Sequence, residues 1–162
     1  MNKKVRNAVR CFLIKDEQVV VTKYTEGANR AGYYDIPGGK IEVGETMEQT
    51  VIREFSEETG MTVSNLKYKG VMHIEYSDRE FILNTFVAHD YSGYPQDFEE
   101  NTSEWIELSE LLKKEKLLSN IIILDRPFIR ALKDEKLNFE MYVKVDEQEN
   151  ILEVNFKTQE KE

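Results

Sequence analysis

The stretch from Gly38 to Met61, GGKIEVGETMEQTVIREFSEETGM, constrains this chain more than any other. Glu54, Glu57 and Glu58 stand at i, i+3 and i+4, so a helix projects all three carboxylates from one face. Like charges at that spacing destabilise an isolated helix by about a few tenths of a kcal/mol per pair. A divalent cation on that face turns the repulsion into coordination. Clustered oxygen ligands suit Mg²⁺, with Mn²⁺ as a substitute.

The same segment has a core side. Met47, Val51 and Phe55 recur every four residues with Ile52 beside them, a stripe centred roughly 110° from the carboxylates. One face can therefore dock on a sheet while the neighbouring edge holds metal in a cleft. Thr46 and Gln49 form a capping box, which predicts a helix over about Met47 to Thr59. Gly60 fits the left-handed position that ends it. Ahead of it, Pro37-Gly38-Gly39 predicts a turn that lets backbone approach a ligand closely.

Gly39, Glu45, Arg53, Glu54, Glu57, Glu58 and Gly60, with apolar Phe55 and Met61, resemble the Nudix box, G-x5-E-x7-R-E-U-x-E-E-x-G-U. A chance match is on the order of 10⁻⁸ per start site. The flanks Pro37-Gly38-Gly39-Lys40 and Gly44-Glu45-Thr46 resemble the MutT-like branch of that family. The resemblance implies an α/β fold, the Nudix α/β/α sandwich with a mixed sheet. It also implies hydrolysis of a nucleoside diphosphate linked to another group. By motif position, Glu54, Glu57 and Glu58 would bind the divalent metal, with the Gly38 carbonyl as a further ligand. Arg53 would orient Glu54 through a charge-assisted pair. Glu45 either supports the loop–helix geometry or simply favours the helix N-terminus. Alignment on Glu104-Trp105 makes Glu99 resemble the acidic residue that serves as general base in MutT-like enzymes, with Glu100 its rival. Asp125, two residues before Pro127, either contacts a purine edge or caps a helix.

The resemblance implies a Mg²⁺-dependent pyrophosphohydrolase that cleaves a nucleoside triphosphate, with 8-oxo-dGTP as a candidate, to a nucleoside monophosphate and pyrophosphate. The alternatives are a nucleotide sugar, dinucleoside polyphosphate or capped RNA end as substrate, or a nucleotide sensor without turnover. The intact Arg53-Glu54-Phe55-Ser56-Glu57-Glu58 run argues against the sensor.

The 162 residues suit one domain with one substantial core, about 4–135, followed by a C-terminal extension. A net charge of −9 argues against broad binding to a nucleic-acid backbone. An anionic substrate then needs metal ions and a few placed bases, a role assigned to Lys23 and Lys40. Cys11, the only cysteine, excludes an internal disulfide, suits a cytoplasmic location and reads as a small core residue. No apolar run is long enough to span a membrane. The oligomeric state stays open.

In chain order, residues 5–24 read as a hairpin, Tyr33 to Ile36 as a short strand, and Leu66–Tyr76 and Glu80–His89 as two long strands. Tyr91 to Thr102 reads as a loop and Trp105 to Leu108 as a strand. Ser109 would cap a helix through about Leu118, and a second helix would follow Asp125 with Phe128, Ile129, Ala131 and Leu132 as its apolar face. Phe139–Val145 and Ile151–Phe156 alternate into a hairpin, about 138–157, that buries Phe139, Met141, Val143 and Val145. Lys157 to Glu162 would fray.

Overall fold

The computed structural model describes residues 3–25, 31–114, 126–148 and 150–161. Asp125 and residues 115–118 of the expected helix lie outside them. The strands in chain order are β1 (Lys4–Lys15), β2 (Gln18–Tyr24), β3 (Tyr34–Asp35), β4 (Gly38–Lys40), β5 (Thr62–Ser64) and β6 (Lys67–Glu75). They continue with β7 (Arg79–Ala88), β8 (Asp90–Ser92), β9 (Asn101–Glu107), β10 (Leu137–Val145) and β11 (Ile151–Glu160). The helices are α1 (Met47–Thr59), α2 (Leu108–Leu111) and α3 (Arg126–Lys133). One nine-stranded sheet runs β11-β10-β6-β7-β1-β2-β3, with β4 also paired to β1 and β9 to β2. The pairs β1–β7 and β6–β10 are parallel and the rest antiparallel, so the sheet is mixed.

The centre of the sheet follows from the run Ala8 to Ile14. Strand alternation sends Ala8, Phe12 and Ile14 to one face and Val9, Cys11 and Leu13 to the other, and all six are buried. A strand buried on both faces needs such an apolar run, which only Arg10 interrupts here. Helix α1 covers the second face with Val51 and Phe55, and α2 and α3 cover the first with Leu108, Leu111, Phe128, Ala131 and Leu132. The result is the α/β/α sandwich implied by the motif. The C-terminal hairpin also forms as expected, with Phe139, Met141, Val143 and Val145 buried. Strand β10 docks on β6, so the hairpin continues the main sheet.

Several expectations are corrected. Gly38-Gly39-Lys40 is a short strand, β4, held opposite Ala8 to Arg10, because β1 offers its first half as an edge. Met47 and Ile52 are exposed; the core side of α1 is filled by Thr50 and Thr59 beside Val51 and Phe55. The segment expected to be a loop begins inside β8, which pairs with β5, and β9 begins four residues early because β2 templates it as far as Tyr24. Helix α2 starts one residue before Ser109, and Glu107 at its cap makes no side-chain cap bond. Lys157 to Glu160 does not fray; Leu137 pairs with Glu160 and the Lys161 N–H donates to the Lys136 carbonyl at 2.8 Å.

Candidate active site

Helix α1 begins where the sequence places it. The Thr46 hydroxyl accepts from the Gln49 N–H, the Gln49 side chain accepts from the Thr46 N–H, and Gly60 ends the helix at φ 78°. Strand β4 sets its backbone against the flank of the helix. The antiparallel alternation that gives the Cys11 N–H to the Pro37 carbonyl turns Gly38, opposite Arg10, away from β1. The Gly38 N–H then donates to Glu58 Oε2 at 3.1 Å, with the Gly38 carbonyl on the same edge. Gly39 lies so close to Glu54 that a Cβ there would sit 2.4 Å from its Cδ. Glycine at this position is therefore a condition for the place Glu54 occupies.

Arg53 organises the acidic face. Its Nε and Nη2 hold Glu45 in a fork at 2.7 and 2.9 Å, and its Nη1 donates to Glu54 Oε1 at 3.0 Å and reaches Glu57 Oε2 at 3.3 Å. Glu45 also accepts from the Thr50 hydroxyl and the Glu42 N–H, which ties the loop to the helix. These bonds, Arg53 foremost, hold the Glu45 carboxyl down at about 2, and Glu45 in turn raises Arg53. The other carboxylates are pushed the opposite way. Burial raises Glu54 against the pull of Arg53. Burial, then Asp35, raises Glu58 to about 9, with Glu54 and Glu57 adding to it and the Gly38 N–H opposing it.

Among the described residues, no three His, Cys, Asp or Glu side chains stand together as a ready-made cation cage. Glu54 and Glu57 lean to Arg53, and Glu58 to Gly38. The donor chemistry nevertheless fits a hard divalent cation: carboxylate oxygens on one helical face, one of them desolvated among like charges. A cleft of about 740 Å³ lined by Lys15, His89, Tyr91 and Lys133 lies at the β1–β2 turn and has none of these carboxylates in its wall.

The remaining sequence-derived residues are more dispersed. Lys40 is exposed, and its carbonyl receives Arg53 Nη2 at 3.5 Å. Lys23 Nζ stands 5.5 Å over the Tyr34 ring. Glu99 and Glu100 are exposed, and their carbonyls accept from the Thr25 hydroxyl and the Thr25 N–H. Their loop is anchored to the end of α1, where the Asn101 amide donates to the Glu58 carbonyl at 2.8 Å and the Gln96 N–H to the Thr59 carbonyl at 2.9 Å.

Sequence reasoning passed over Asp35, Asn101, Lys114 and Arg10. Lys114 Nζ also stands 5.5 Å from the Tyr34 ring. Arg10 is fully buried between the Phe12 and Phe128 rings, donates to the Thr85 hydroxyl, and is lowered to about 9 by burial, against Asp35. A charged residue in the middle of a central apolar strand was the signal for it; Asp35, two residues before Pro37, was a similar one.

A profile of the NUDIX domain matches residues 4–131, most of the chain. The chain belongs to the Nudix family. It is a Nudix pyrophosphohydrolase. It is 33% identical over 106 residues to the 8-oxo-dGTP diphosphatase of Escherichia coli, covering 65% of this chain and 82% of that protein. It is 32% identical over 107 residues to an NAD-capped RNA hydrolase NudC of Vibrio atlanticus, but spans only 38% of that protein's length. The crystal structure of a mutator MutT protein from Bacillus halodurans superposes with a TM-score of 0.77 at 25% identity, covering 94% of this chain and 97% of that one. The likeness therefore reaches into the C-terminal hairpin. No described helix of this Nudix chain is long and apolar enough to cross a membrane.

Proposed function

We propose that this Nudix chain is a Mg²⁺-dependent nucleoside triphosphate pyrophosphohydrolase that releases a nucleoside monophosphate and pyrophosphate. An oxidised purine nucleotide such as 8-oxo-dGTP is the candidate substrate, supported by the E. coli relative and by 32% identity over 83 residues to an oxidized purine nucleoside triphosphate hydrolase of Danio rerio. The observation that carries the reading is the acidic face of α1, where Glu54, Glu57 and the half-buried Glu58 share one side of the helix against the Gly38–Lys40 strand. Burial and then Asp35 raise Glu58, so its ionised form is favoured by positive charge placed beside it.

Glu54, Glu57, Glu58 and the Gly38 carbonyl would hold the cation. When bound, it supplies positive charge against the polyphosphate and lowers the pKa of water at the site. Arg53 is a positioning residue: its fork on Glu45 fixes the guanidinium, and the guanidinium fixes Glu54. Glu99, on the loop tied to α1 through Asn101, is the proposed acceptor of the water proton. Lys23 and Lys40 provide cationic groups for the phosphates, and Asp125 either reads the purine edge or caps α3. The continuity of the sheet from β3 to β11 supports one domain, and a single buried cysteine suits the cytoplasm.

A panel of nucleotides assayed for phosphate and pyrophosphate release, with Mg²⁺ and in excess chelator, tests this reading. Purine triphosphates should yield pyrophosphate only with Mg²⁺, and Glu57→Gln or Glu58→Gln should lower turnover by about two orders of magnitude in a folded protein. Near-normal rates in both variants would remove the metal assignment. Because of the NudC match, NAD-capped RNA belongs in the panel, and preference for it would move the substrate to a capped RNA end.

A further inference from the structure

Strand β11 ends the sheet order, so one of its edges faces no other strand among the described residues. Edge strands are usually short, or interrupted by proline or a bulge, because their free N–H and C=O groups template pairing. Strand β11 runs ten residues, Ile151–Glu160, without proline or glycine; its one register shift, at Leu152 near its start, leaves Glu153–Glu160 in unbroken register with β10. The Lys161 N–H turns inward to the Lys136 carbonyl, so by alternation Val154, Phe156 and Thr158 direct their backbone groups outward. Apolar surface lies along the same edge: Ile151, Leu152 and Val154 are 40%, 59% and 41% exposed, with Phe156 partly buried beside them.

The polar face of the hairpin carries alternating charge. Lys157 pairs with Glu140 at 3.1 Å, and Glu153 stands opposite Lys144 in the register of β10 and β11. An antiparallel copy of β11 related by a two-fold axis at Asn155 sets Glu153 opposite Lys157 of the second copy, twice. Across the four strands the row then reads Glu140, Lys157, Glu153, Lys144, with signs alternating throughout. On the other face the same register places Val154 against Phe156 of the second copy, and these residues carry the outward hydrogen-bonding groups. Shifting the copy by one repeat in either direction loses both charge pairs.

We propose that β11 is a self-association edge, pairing antiparallel with β11 of a second copy of this chain about Asn155 to extend the sheet through both molecules. Cross-strand pairs of opposite charge and of apolar groups stabilise such an edge, and like charges placed opposite one another oppose it.

Sedimentation velocity on the full chain over about a hundredfold range of concentration tests this. The wild-type protein should move from monomer to dimer. Glu153→Lys and Lys157→Glu each place like charges opposite one another and should weaken the dimer by about tenfold or more. An equimolar mixture of the two variants should dimerise again, because each supplies the charge that the other lacks. Circular dichroism checks the fold of each variant; should either fail to fold, Val154→Lys replaces it with the same expected loss. A wild-type chain that stays monomeric, variants that dimerise as it does, or a mixture that stays monomeric would each overturn the proposal.

Discussion

The guanidinium of Arg53 holds the carboxylate of Glu45 with two hydrogen bonds, 2.7 Å from Nε and 2.9 Å from Nη2, and so closes the loop before α1 onto the helix. The planar fork gives that contact its geometry, and a lysine cannot reproduce it. Arg53→Lys should therefore lower kcat/KM by about ten- to a hundredfold, the scale seen when groups that orient metal ligands are removed. In thermal melts, Arg53→Ala with Glu45→Ala should destabilise the fold by clearly less than the sum of the single changes. Additivity would show that the pair is not coupled.

The acidic face should make stability depend on pH with a definite sign. In metal-free protein the Glu58 carboxyl is raised from 4.5 to about 9, so between those values the native state holds a proton that the unfolded chain has released. Stability then falls as pH rises through that window. Melting temperatures in chelator should follow that slope, Glu58→Gln should flatten it, and Mg²⁺ should stabilise most at the alkaline end. Glu45 acts at the acid end: lowered to about 2, it contributes stability that is lost as pH falls from 4.5 toward 2. An unchanged slope in Glu58→Gln would assign the alkaline trend to another group.

Glu99 and Glu100 are adjacent, both exposed, and differ in the proposed chemistry alone. Glu99→Gln should reduce kcat by about a hundredfold or more while Glu100→Gln stays near wild type, and both should leave the Mg²⁺ dependence in place. Equal and mild effects would shift proton removal to Glu54.

The C-terminal hairpin should matter to the core. Phe139 is 2% exposed and its ring centroid lies 5.0 Å from that of Phe128 on α3, so Phe139→Ala should cost about 3–5 kcal/mol by chemical denaturation. Deletion of residues 138–162 should lower the melting temperature further or drive aggregation, since it uncovers β6. Unchanged melting and activity would make the hairpin dispensable.

What was legible in the sequence was whatever local chemistry decides. The bounds of α1 follow from Thr46, Gln49 and Gly60, whose side chains and backbone write the signal into adjacent positions. The two-sided burial of β1 follows from the apolar run Ala8 to Ile14, interrupted only at Arg10. What was not legible depends on partners distant in the chain. Gly38 to Lys40 become a strand because β1 lies beside them, and β8 exists because β5 is there to pair with it. Asp35 matters to Glu58 through space, from a position more than twenty residues earlier, and Met47 looked apolar enough for the core yet faces water at the open first turn of α1.

The parallel pairing of β1 with β7 also bears on how the molecule is assembled. Lys4 lies opposite Arg79, seventy-five residues away, and Gly70 opposite Phe139, sixty-nine away. During synthesis β1 can form its local hairpin with β2 early, but the edge that belongs to β7 waits for half the chain. Closing such long loops precedes any reward from contact, which slows folding. Meanwhile Val9 to Leu13, apolar but for Arg10, remain available to the wrong strand. The nascent chain is therefore most vulnerable to aggregation at the segment that later becomes the most deeply buried.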